Sequence, residues 1–331
     1  MDPDEDPAGA CAEGAPRPAH PAGVHVRVLP AGGTVRLALF TDLFRHYPLE
    51  EAISLVAASG FRSIELNACE YWDPHVDFSR PDFPSQVDRL ARAMERYGVR
   101  LAAVATSSDL AALDPEERRR SVDYCLRAMG SLHGLGCRML TAVASGNNLL
   151  PLPPQRAALE ASLREIGERA AGMGWEVAVE IYPGHCLEDT TSALELLHRI
   201  GLPNVGYLFC VSHIAAVGED VVLSYERTRA RILHVHLSDT PTATADHQHL
   251  VPGYGEADCG GILSRLAEDG YRRVVSVQIY SHSDRPVESA IESLEAVHRL
   301  LQQTPPHLRV TLGSAHNEPL IRQRKRQRKI G

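Results

Sequence analysis

The chain has 331 residues, 44% hydrophobic and 23% charged, with a formal net charge of -8, a balance that fits a globular protein with a sizeable core. No apolar stretch approaches the roughly 20 residues of a membrane helix, and the start, with Asp2, Asp4, Glu5 and Asp6, is opposite in sign to a signal peptide, so no membrane partner and a cytoplasmic location are expected. Its seven cysteines are scattered and form no CxxC pair, which argues against a disulfide framework or a zinc ribbon.

Residues 1–33 are rich in Pro, Ala and Gly without a period and are expected to form a disordered tail. Strand-like runs then follow at 35–40, 61–66, 99–105, 137–144, 175–182, 204–209, 231–237 and 273–280. Between them lie segments of helical period, such as the stretch from Pro48 to Gly60 and that from Phe83 to Gly98, each ending on the glycine favoured past a helix C-terminus. Eight βα units over residues 34–302 predict a single α/β domain, a TIM (β/α)8 barrel; a doubly wound sheet more usually stops at fewer strands. No GxGxxG or GxxxxGK[ST] loop is present, so no nucleotide cofactor is expected. Residues 303–331 read as a second disordered tail. Its six basic residues between Arg322 and Lys329 leave about -14 on the rest of the chain, and a solvated tail is preferred to a nucleic-acid contact.

Four runs in the second half end on side chains able to hold a metal: VAVE at Glu180, GYLFC at Cys210, ILHVH at His236 and VVSVQ at Gln278. Parallel strands bring such C-terminal ends together, which is how a β/α barrel builds an active site. Each residue also has a plainer reading. A strand-end Glu180 can be solvated, and Cys210 or Gln278 can be buried packing. His234 and His236 share one face of their strand and can simply be packed inside the barrel. Glu65 reads more readily as a structural carboxylate, and Asp239 as either a support for a ligand or a loop cap.

The segments at 48–66 (PLEEAISLVAASGFRSIEL), 177–185 (VAVEIYPGH), 205–213 (VGYLFCVSH), 234–239 (HVHLSD) and 249–258 (HLVPGYGEAD) together resemble the sugar phosphate isomerase/epimerase family, the xylose-isomerase-like TIM barrels, over about residues 35–302. The resemblance implies a divalent metal held at the positions of Glu180, Cys210, His236 and Gln278. It further implies catalytic roles for Glu180 and His213, and substrate contacts from His249, His185 and His247. Where the family has Asp and Glu, this chain has Cys210 and Gln278. A Glu, Cys and His set suits Zn²⁺ better than Mn²⁺ or Mg²⁺, and a glutamine cannot serve as a second base. An alternative ligand set is Glu180, His213, His236 and His249.

The activity implied is proton abstraction α to the carbonyl of a small carbohydrate-like substrate, with metal assistance. Single-base chemistry favours isomerisation, or a metal-dependent dehydratase or lyase reaction, over epimerisation. The competing expectation is a degenerate barrel that binds a metabolite or a protein partner. The AP endonuclease branch of the same barrel needs early-loop histidines, and here His75 is the one nearby imidazole, so a nucleic-acid substrate is disfavoured. Homo-oligomerisation is left open.

Overall fold

In the computed structural model, the described residues are 34–241, 248–281, 284–303 and 311–312. Eight parallel strands form a closed ring: β1 (Thr34–Phe40), β2 (Ser63–Asn67), β3 (Arg100–Thr106), β4 (Met139–Val143), β5 (Glu176–Glu180), β6 (Val205–Cys210), β7 (Ile232–Leu237) and β8 (Val274–Val277). They pair in chain order, and β1 closes the ring by pairing with both β8 and β2. Outside run α1 (Leu49–Ala58), α2 (Phe83–Tyr97), α3 (Pro115–Leu132), α4 (Leu152–Gly172), α5 (Thr190–Ile200), α6 (Val211–Ala216), α7 (Val221–Thr228), α8 (Cys259–Glu268) and α9 (Pro286–Gln303). The short β9 (Thr311–Leu312), inside the segment read as a tail, adds in parallel to the start of β1.

Local chemistry sets the element boundaries. Asp114, Asp189, Asp220 and Asp258 each accept backbone N–H bonds at the first turns of α3, α5, α7 and α8, satisfying donors the helix cannot pair itself. β8 is shorter than its apolar run because the chain then turns toward another loop: Gln278 still donates its N–H to Leu237, but the Tyr280 N–H donates to His249.

Strand register makes the interior polar near the rim. Side chains two apart share a face, so Ala178 and Glu180, Leu208 and Cys210, and Ser276 and Gln278 each fall on one face of their strand. The pairings Cys210 with His236 and His236 with Ser276 put three strands at a common level. Register shifts interrupt β2–β3 between Ile64 and Glu65 and β6–β7 between Tyr207 and Leu208, a device that re-aims side chains. Ala103, Met139, Ala178, Leu208, Cys210 and Leu233 form an apolar interior cluster. On β6, Gly206 has no alternative: a Cβ there would lie 2.5 Å from the Arg231 carbonyl oxygen.

Candidate active site at the C-terminal rim

Three side chains expected at strand ends meet inside the barrel mouth. One ligand atom from each of Glu180, Cys210 and His236 lies within 4.8 Å of the others. His236 Nδ1 is 3.1 Å from Glu180 Oε1, and Gln278 joins the group as its Oε1 accepts from Cys210 Sγ at 3.7 Å. All four are buried.

His213, on the short α6 directly after β6, stands beside them. Its Nδ1 donates to the Ile181 carbonyl at 2.9 Å and lies 3.2 Å from Glu180 Oε1. Its Nε2 is 3.0 Å from His249 Nε2, and His249 Nδ1 lies 3.1 Å from Ser238 Oγ. The His249 ring stacks on Tyr280 at 4.3 Å. Cys210, His213 and His249 thus form a second possible metal-binding group. His185 is further out and half-buried: its Nδ1 bonds the Ala144 carbonyl at 2.9 Å, and its ring packs on Tyr182. His247 lies outside the described residues. Asp239 resolves to a loop cap. Its carboxylate accepts the N–H groups of Thr240, Gly253 and Ala257.

Glu65, which reads from the chain as a structural carboxylate, borders this group. It is fully buried on β2, across the barrel from β7. Its Oε2 lies 3.0 Å from the Nε2 atoms of both His234 and His236, and its Oε1 accepts the Thr141 hydroxyl at 2.6 Å. His234 also meets Ser276 Oγ at 2.9 Å. Part of this was available in the chain, since Glu65 stands near the end of the second strand-like run and His234 shares a face with His236.

The electrostatics follow from these contacts. Burial pushes the carboxyls of Glu65 and Glu180 up, but imidazoles outweigh it: His236 and His234 at Glu65, His213 and His236 at Glu180, so both are held well below the usual range. Burial works against charging the imidazoles too. Cys210 and Glu180 nonetheless lift His213 to about 10, and Glu65 and Glu180 hold His236 well above its ordinary value. The Cys210 thiol is also lowered: burial raises it, Glu180 raises it further, and His213 prevails. Two carboxylates and a thiol with a lowered pKa therefore face two imidazoles with raised ones in a buried cluster.

That donor set fits a divalent ion. Two ligands on one tetrahedral zinc stand roughly 3.4 Å apart, given bonds of about 2.0–2.2 Å. The His236–Glu180 separation of 3.1 Å is close to this without rearrangement of the strands. Carboxylate, thiolate and imidazole are all zinc donors, and Gln278 supplies a neutral oxygen beside them.

A family profile described as xylose isomerase-like TIM barrel matches residues 53–300. A putative hydroxypyruvate isomerase from Streptomyces coelicolor is 30% identical over 277 residues, covering 77% of this chain and 93% of that protein. A 3-dehydroshikimate dehydratase from Pseudomonas aeruginosa is 23% identical over 78% of this chain, which spans only 41% of the dehydratase. Among solved structures, that of IOLI protein with a binding zinc atom superposes with a TM-score of 0.69 at 18% identity, covering 82% of this chain and 100% of that one. It shares the fold.

Proposed function

From the premise that the chain belongs to the xylose isomerase-like TIM barrel family, matched over residues 53–300 and related to sugar isomerase/epimerase enzymes, we propose that it removes a proton α to the carbonyl of a small hydroxylated substrate, in an isomerisation or dehydration. The observation that carries this is the convergence of Glu180, Cys210 and His236 on one point of the mouth, with His213 beside them.

Glu180 is the base. Both of its imidazole contacts use Oε1, which leaves Oε2 to meet a substrate proton. Its carboxyl, held low by His213 and His236 against burial, is ionised throughout the neutral range. His213 is the acid, because as an imidazolium it can return a proton to a substrate oxygen. His249, stacked on Tyr280 and hydrogen-bonded to Ser238, would orient substrate hydroxyls, with His185 at the outer edge. Gln278 cannot take a proton, so the site has one base on this side, which suits isomerisation or elimination better than two-base epimerisation. Lys325 and Lys329 are the only lysines in the chain, so no barrel strand supplies a Schiff-base amine.

Glu180, Cys210, His236 and Gln278 would hold the ion, which as a Lewis acid polarises the substrate carbonyl. The thiolate favours zinc over manganese or magnesium. The similarity to a putative hydroxypyruvate isomerase makes hydroxypyruvate the first substrate to test. In D₂O, zinc-loaded protein should place deuterium at the carbon α to the carbonyl of hydroxypyruvate or of a cyclic polyol ketone, and Glu180→Gln should not. Absence of exchange on every hydroxy-ketone tried, with zinc bound, would overturn the proposal.

A further inference from the structure

We propose that Glu65 is a positioning residue for the metal site: it fixes the proton of His236 on Nε2 and so presents Nδ1 as the ligand atom. This rests on the metal-binding reading given above and adds to it a residue outside the ligand set.

An imidazole can ligate through either nitrogen, and a half-turn of the ring exchanges them; what its other nitrogen bonds decides which one is used. Here each nitrogen faces a carboxylate, Glu180 at Nδ1 and Glu65 at Nε2. Glu65 Oε2 stands 3.0 Å from His236 Nε2, and an ionised carboxylate can only accept. With an ion held beside Glu180, His236 keeps its proton on Nε2, toward Glu65. Its Nδ1 lone pair then faces Glu180 Oε1 at 3.1 Å, which is repulsive unless a proton or a cation lies between them. The contact is stable with an imidazolium or with a shared ion.

Glu65 is itself held in place. The Thr141 hydroxyl bonds Oε1 at 2.6 Å, and His234 Nε2 shares Oε2 at 3.0 Å, so the carboxylate cannot rotate away without breaking two further bonds. Phe40 lies against the His236 ring, 5.8 Å between centroids and 19° between planes, which restricts the ring flip. The anionic partner also makes Nδ1 a better donor, the usual effect of a carboxylate behind a ligating histidine. The simpler role for Glu65 is to hydrogen-bond two buried imidazoles, and that role gives it no influence on the ion.

The test is zinc binding by the full chain, measured by competition with a chelator, for wild type and Glu65→Gln. A glutamine can turn its amide N–H toward Nε2 and drive the proton to Nδ1. Binding should weaken about 10- to 100-fold, and long-range ¹H–¹⁵N spectra of the zinc-loaded proteins should show Nε2–H with ligated Nδ1 in wild type and a mixture in the variant. Thr141→Val, which removes the brace on Oε1 along with a 3.4 Å contact to the Val104 carbonyl, should shift affinity in the same direction by about threefold and serves if Glu65→Gln does not fold. Equal zinc affinity and identical His236 spectra in wild type and the folded variant would overturn the role of Glu65 alone. A wild type that binds no zinc would overturn the metal site and this role together.

Discussion

The two halves of the barrel rim use buried polar groups in opposite ways. On the β1–β4 side, Asp42, Asn67 and His75 are knitted into the scaffold. His75 Nδ1 and Nε2 meet the Thr41 hydroxyl and the Phe44 carbonyl, each at 3.1 Å, and Asn67 Nδ2 donates to the carbonyls of Trp72 and Asp73. At His75 and Asp42 burial wins over charge. It lowers His75 to about 4 and raises Asp42 to about 6 against the pull of Arg45. On the β5–β8 side charge wins over burial, because Glu180, Cys210, His213 and His236 face one another. Buried groups paired with neutral scaffold partners lose charge to burial; buried acids and imidazoles paired with each other keep it, the pattern common at functional sites.

The sharpest break of that contrast is Glu180→Gln, expected to cost about 10²- to 10⁴-fold in α-proton exchange while leaving the fold intact, as read by exchange rate and thermal midpoint. Next in size, Cys210→Asp exchanges a soft donor for a hard one. The ratio of zinc to manganese affinity should fall about 10-fold or more, measured by competitive titration of both ions. A ratio that does not move would place Cys210 outside the coordination sphere.

The β1–β4 side should answer through stability instead. Folded His75 titrates below its ordinary value, so its contribution is present above about pH 6.5 and is lost as pH falls through about 4, up to roughly 3 kcal/mol. Folded Asp42 titrates above its ordinary value. Its contribution is complete below about pH 3.8 and is lost as pH rises through about 6, again by roughly 3 kcal/mol. The two oppose each other across the same window. Denaturant unfolding between pH 4 and 6.5 should therefore show a slope that falls in His75→Gln and rises in Asp42→Asn. A smaller effect is expected at the loop that carries His249. A Cβ on Gly255 would sit 2.3 Å from the Thr240 carbonyl oxygen, so Gly255→Ala should cost about 1–3 kcal/mol by the same unfolding measurement.

Much of this organisation is written in the chain. The eight apolar runs are separated by helical periods and glycine stops, and a strand's period of two makes Glu180, Cys210 and His236 visible as inward-facing ends. What sequence could not give is the pairing across the barrel. Glu65 and His236 are 171 residues apart, and their meeting depends on the stagger of strands and on the register shift beside Glu65. Nor does spacing reveal that Asp239 spends its carboxylate on three backbone N–H groups rather than on a ligand. The β-rich run at 273–280 gave Gln278 its strand-end place, although β8 stops one residue earlier, at Val277.

The central claim is that the β5–β8 side binds a divalent ion through the Cys210 thiolate together with Glu180 and His236. Cobalt(II) added to metal-free protein tests it most directly through the electronic spectrum. Wild type should show visible bands of a four-coordinate ion and a thiolate-to-cobalt charge-transfer band in the near ultraviolet, and Cys210→Ser should lose the charge-transfer band. Identical spectra for the two proteins, or no cobalt bound by wild type, would contradict the account.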